Sequence, residues 1–122
     1  GVSDGVFSES DTRAWLNRVE GVLPNSQSVV RHFPVPGMAH CSGGPATDQF
    51  DALSALVRWV EQGVAPESIT ATARGAGNAG GVNAELPKDW AANRTRPLCP
   101  YPKVARYKGA GSLEDAANFS CQ

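Results

Sequence analysis

Apolar residues come in short periodic bursts along the chain, set apart by glycines and prolines. Trp15, Val19, Val22 and Leu23 fall at i, i+4, i+7 and i+8, one face of a helix, and predict a helix over Ser8–Leu23. Ser8 followed by Asp11 resembles a capping box at its start, and Gly21 and Pro24 mark its fraying end. Val29, Phe33 and Val35 share one face of a predicted short strand over Val29–Val35, with Pro34 closing it. A second helix is predicted over Thr47–Gln62. Phe50, Leu53, Leu56, Val57 and Val60 make its stripe, Asp48 favours its N-terminus, and Gly63 and Pro66 stop it. Trp15 and Trp59 lie on or beside the two stripes and are expected to pack.

Periodicity fades after residue 63. Ser68–Ala73 reads as a short strand, and the glycine-rich, aperiodic run Arg74–Asn83 reads as a surface loop. From Pro97 to Gln122 the prolines, with Cys99 and Cys121, suggest an extended tail stapled by a disulfide. Closing a loop of that size stabilises a fold by about 3 kcal/mol. Helix alternating with short apolar strand is the pattern of α/β architecture. With only one or two strands to cover, the 122 residues form an incomplete α/β core on their own.

Composition then narrows function by exclusion. Eleven Lys and Arg against twelve Asp and Glu leave a net charge of −1, so no nucleic-acid footprint and no acidic tail is present. No apolar run approaches the length of a membrane span, and no signal peptide is visible. Gly1 opens in the middle of a motif, which suggests a piece of a longer chain. Three cysteines suggest one internal disulfide plus one thiol whose partner lies elsewhere, a pattern of exported proteins. Asn93-Arg94-Thr95 and Asn118-Phe119-Ser120 fit the glycosylation sequon and point the same way.

Candidate chemistry centres on PGMAHCSGGP, residues 36–45. A metal site needs three or four ligands, whereas His40 and Cys41 are neighbours and His32 lies eight residues earlier, so no metal is expected. Adjacent residues of an extended loop project in different directions, which disfavours a Cys41–His40 dyad. Ser42-Gly43-Gly44-Pro45 lacks the lysine of a phosphate loop. One corner of a serine hydrolase remains. Asp4 and His40 both sit in loops, in the order acid then histidine, with one helix and one strand between them, as in the late part of an α/β-hydrolase. Gly1-Val2-Ser3-Asp4-Gly5 also matches the nucleophile-elbow pattern. An elbow, however, turns straight from a strand into a helix, and the helix here begins only near Ser8. Asp4, not Ser3, is therefore the candidate. His32 is expected to be a half-exposed strand residue, Trp90 to be partly buried, and Arg94, Arg96 and Arg106 to be solvated.

Several ordered motifs resemble the C-terminal end of the tannase and feruloyl esterase family. They are Gly1-Val-Ser-Asp4 with Phe7-Ser8, Val35 to Gly44 around His40-Cys41, Thr95 to Pro102, Ala105 to Gly109, and Ala117 to Cys121. The match runs over almost the whole chain except Arg74–Asn93, which looks like an insertion. The resemblance implies an exported α/β-hydrolase, secreted or periplasmic, cleaving esters of aromatic acids: gallate, ferulate and other hydroxycinnamates, or in one branch a terephthalate monoester. It implies Asp4 as catalytic acid, His40 as catalytic histidine and Phe7 as a residue lining the substrate pocket. It implies a Cys99–Cys121 disulfide, and for Cys41 a partner cysteine beside the nucleophilic serine. The serine, the oxyanion hole, the lid and the lid's calcium site belong to parts of the family's sequence outside these residues. Residues 1–122 are accordingly expected to be the C-terminal segment of the catalytic domain, without a cofactor of their own, partnered by the remainder of that domain and inactive alone. A reading from another class is a non-catalytic, secreted, disulfide-stapled binding module, which explains the glycines, prolines and sequons without any triad.

Overall fold

A computed structural model describes all 122 residues. Helix α1 spans Glu9–Val22, and its start and end match the predicted element within one residue. Ser8 occupies the N-cap position with extended backbone, but its side chain makes no capping bond; its hydroxyl meets that of Ser10 at 2.6 Å. The expected inward stripe is also corrected. Leu16 is the buried residue of α1, while Trp15, Val22 and Leu23 face solvent.

The predicted strand over Val29–Val35 is not a strand. A strand is defined by a ladder, and beyond local turn bonds at its two ends this segment has only isolated backbone bonds, from the Val2 amide to the Val35 carbonyl and from the Tyr101 amide to the His32 carbonyl. The Arg31 guanidinium fastens it sideways, reaching the Pro66 carbonyl at 2.6 Å and Glu67 at 2.8 Å while lying over the Trp59 ring.

Three short strands make the central sheet: β1 Gln49–Phe50, β2 Ile69–Thr72 and β3 Thr95–Leu98, ordered β1-β2-β3 and antiparallel throughout. Pro97 is tolerated because β3 is an edge strand and needs no amide on its outer side. Between β1 and β2 runs α2, Ala52–Gln62. It begins later than predicted. Asp51 caps it by accepting the Ser54 amide at 2.9 Å, and Asp48 is used elsewhere. Gly63 ends it in the left-handed conformation, φ 69°, which costs a glycine nothing. The stripe of α2 points away from the core, with Leu53 71% and Val60 76% exposed; only Ala55 is buried.

The tail is more regular than an extended coil. β4 Ala105–Tyr107 pairs antiparallel with β5 Phe119–Cys121, and the Cys99–Cys121 disulfide ties β5 to the residue after β3. Arg94 and Arg96 are not solvated as expected. Arg94 pairs with Glu114 at 2.9 Å and stacks over Trp90, and Arg96 stacks over Phe119.

The core is small and specific. Val35, Met38, Ala46, Ala71 and Leu98 pack together, with Phe33 and Ile69 against them. Three of the five, Val35, Met38 and Ala46, come from the stretch that carries His40, so the core is the floor of the histidine loop.

Candidate functional site

The site is two loops laid side by side. The segment preceding α1 lies on the histidine loop through the Val2 amide to the Val35 carbonyl and the Ser3 amide to the Met38 carbonyl, both 3.0 Å. Gly1 packs so closely on Met38 and Ala39 that a Cβ there would collide with their backbone. This apposition carries Asp4 to His40. Asp4 Oδ2 accepts from His40 Nδ1 at 2.9 Å, and Asp4 Oδ1 accepts the amides of Val6 and Phe7 at 2.8 and 2.9 Å.

Both carboxylate oxygens are therefore occupied by donors. The Phe7 amide foremost, then the His40 hydrogen bond and the Val6 amide, pull the Asp4 pKa down to about 2. The Asp4 side chain is only 6% exposed, whereas the imidazole of His40 is 48% exposed. A proton on Nδ1 facing an ionised carboxylate leaves Nε2 as the lone-pair acceptor, the tautomer a general base requires. The Phe7 ring lies beside the imidazole, centroids 5.3 Å apart, and is exposed rather than part of the core. The histidine bond goes to Asp4; Ser3 contributes only its backbone to the site.

The loop that presents His40 is held in a conformation open to glycine. Gly37, Gly43 and Gly44 all have φ between 73° and 78°. A Cβ on Gly44 would strike the Gly37 carbonyl oxygen, and one on Gly37 the Pro45 carbonyl oxygen. The Ala39 amide donates to the Gly43 carbonyl at 3.2 Å, closing a turn with His40, Cys41 and Ser42 at its tip. Cys41 is exposed with a free thiol.

Two features of this region have no counterpart in the periodicity of the sequence. Asp48, whose side chain is wholly buried, accepts the Gly43 amide at 2.7 Å and Arg74 Nη2 at 2.6 Å, with Arg74 Nε 3.0 Å from its other oxygen. Burial pushes its carboxyl up, but the Arg74 and Gly43 hydrogen bonds outweigh that and hold it below the usual carboxylate value. Glu85 and Asn83 engage Gly44, the one accepting its amide at 2.7 Å and the other donating to its carbonyl at 2.8 Å. No spacing rule links positions 26 or 41 residues apart, so only the fold reveals them. His32 is not a simple strand residue either; Nε2 lies 3.0 Å from Glu9 Oε1, away from Asp4 and His40.

No three side chains of the His, Cys, Asp or Glu type gather into a metal-binding group. No helix is long and apolar enough to cross a membrane.

The chain is 48% identical over 121 residues to the mono(2-hydroxyethyl) terephthalate hydrolase of Piscinibacter sakaiensis, covering 99% of this chain and 18% of that protein. It is 35% identical over 139 aligned residues to a probable feruloyl esterase B-2 of Neosartorya fischeri, covering 99% of this chain and 24% of the relative. Among solved structures it superposes on an esterase from Aspergillus oryzae with a TM-score of 0.76 and 30% identity, over all of this chain and 26% of that one. The chain thus spans about a fifth to a quarter of the length of the proteins it matches. The family model for tannase and feruloyl esterase matches residues 4–122, and the chain belongs to that family.

Proposed function

We propose that these residues form the acid-and-histidine end of a carboxylic-ester hydrolase of α/β-hydrolase type, acting on aromatic-acid esters of the feruloyl, galloyl or terephthalate kind. The observation that carries this is the 2.9 Å bond between Asp4 Oδ2 and His40 Nδ1. His40 Nε2 accepts the proton of a serine hydroxyl as that oxygen attacks the ester carbonyl, then returns it to the leaving alcohol. Asp4 keeps the imidazole in the required tautomer and stabilises the imidazolium that forms in between. The serine and the donors that stabilise the oxyanion come from sequence outside residues 1–122. The short span relative to the matched proteins and the solvent-facing α2 stripe support that view. Phe7, alongside the imidazole, lines the acyl or alcohol side of the pocket. The Cys99–Cys121 disulfide suits an oxidising compartment, secreted or periplasmic.

The test is turnover of methyl ferulate by the complete esterase and by this chain alone. The complete enzyme is active, His40→Ala lowers kcat by about 10³-fold or more, Ser3→Ala leaves it unchanged, and residues 1–122 alone are inactive. Turnover by the isolated chain that is abolished by Ser3→Ala overturns the assignment.

A further inference from the structure

The glycine-rich segment 74–85 is fastened to the histidine loop at three points. The backbone of Gly43 and Gly44 has three polar groups facing away from the turn, and each is met by a side chain. The Gly43 amide goes to Asp48, which Arg74 grips with three hydrogen bonds of 2.6–3.1 Å; the Gly44 amide goes to Glu85 and the Gly44 carbonyl to Asn83. The segment is itself folded around these contacts. Arg74 Nη1 reaches the Gly80 and Gly81 carbonyls, the Asn83 amide returns to the Arg74 carbonyl at 2.7 Å, and Asn83 Oδ1 accepts the Glu85 amide at 3.0 Å. Asn83 is 6% exposed, so this is not the free surface loop its composition predicts.

The chain of bonds continues to the imidazole. The Gly43 carbonyl accepts the Ala39 amide, and Ala39 is followed by His40. We infer that Arg74, Asn83 and Glu85 are positioning residues. They fix the 39–44 turn, and through it the orientation of His40 against Asp4, without touching the reacting atoms. This rests on the assignment of His40 as the base. It gives the glycine-rich segment a role in catalysis that its composition hides. A base displaced by an ångström loses about 100-fold in rate, so a brace with this many fixed points acts on kcat more than on substrate affinity.

Glu85 is the cleanest probe because it is exposed, and substitutions at exposed positions usually change stability little. In the complete esterase, with methyl ferulate as substrate, Glu85→Ala is expected to lower kcat about tenfold with KM within twofold and the thermal midpoint unchanged. Glu85→Gln retains an oxygen for the Gly44 amide and is expected to restore kcat to within twofold of the parent. Arg74→Met is expected to lower kcat at least as much as Glu85→Ala. Unchanged kcat in Glu85→Ala and Arg74→Met overturns the proposal, as does an equal loss in Glu85→Ala and Glu85→Gln, which would make charge rather than the hydrogen bond the cause. A change confined to KM also overturns it. His40→Ala run in parallel separates the two assignments. If that variant keeps full activity, the reading of the base fails; if it is inactive while the Glu85 and Arg74 variants are unimpaired, only the brace fails.

Discussion

Asp4 and His40 stand 36 positions apart in the sequence and 2.9 Å apart in the fold, joined by a hydrogen bond from Nδ1 to Oδ2. The acid reaches the histidine because Val2 and Ser3 donate their amides to the histidine segment at Val35 and Met38. Asp4→Asn in the complete enzyme is expected to lower kcat by about 10⁴-fold, because an amide facing Nδ1 no longer selects the tautomer with a free Nε2. The thermal midpoint should move far less than activity. Retention of more than a tenth of the parent kcat would sink the role of Asp4.

The pH response of Asp4 follows from its two backbone donors and His40. Its carboxyl is pulled down to about 2 in the folded state from an ordinary value of 3.8. The folded state thus binds its proton less readily than the unfolded state. The stabilisation is fully present above pH 3.8 and is lost as pH falls through about 2. Carboxyl-carbon NMR titration of Asp4 should show a midpoint near 2, and Val6 and Phe7 amide shifts should follow the same curve. A midpoint at the ordinary value would refute the arrangement.

Gly44→Ala is expected to destabilise the protein by about 2 kcal/mol or more, since a φ of 73° strains any side chain and the new Cβ meets the Gly37 carbonyl. Urea unfolding measures this. Gly5→Ala is the matched control, because nothing lies within 4 Å of a Cβ there.

Cys99 and Cys121 close a sequence separation of 22 residues and hold β5 beside the end of β3. Replacing both with serine should cost about 3 kcal/mol by denaturant titration. Cys41 has an exposed thiol in this chain. In the complete protein, a non-reducing peptide map should join it to a peptide from outside residues 1–122; a free Cys41 there would count against the proposed link to the nucleophile turn.

Local signals in the sequence are legible where one residue decides the backbone. Gly63 stops α2, and the run over Ser68–Ala73 contains β2, Ile69–Thr72. The Asp4–His40 pair was legible through the motifs flanking both residues, not through periodicity. Misreadings came where the outcome depends on what packs opposite. Val29–Val35 alternates like a strand, yet no neighbour supplies a ladder within these residues, so it remains an extended segment. The stripe from Phe50 to Val60 has the right spacing, but its burial depends on a facing layer rather than on spacing. Asp48 reads as a helix-end charge because a lone acid at that place carries no mark of its partner. Arg74 lies 26 residues away, inside a segment whose glycines suggest looseness.

The two halves of the dyad differ in how much of the molecule they depend on. Asp4 is aimed by the amides of Val6 and Phe7, two and three residues further along its own chain, and by the bond from His40. That half is largely local, a tetrapeptide whose own backbone holds one carboxylate oxygen. His40 is contingent, since its orientation is relayed from Asp48, Asn83 and Glu85 through two glycines. Sequence drift in the 74–85 segment will therefore retune the base while leaving the acid as it is, which makes that segment a dial on one member of the pair.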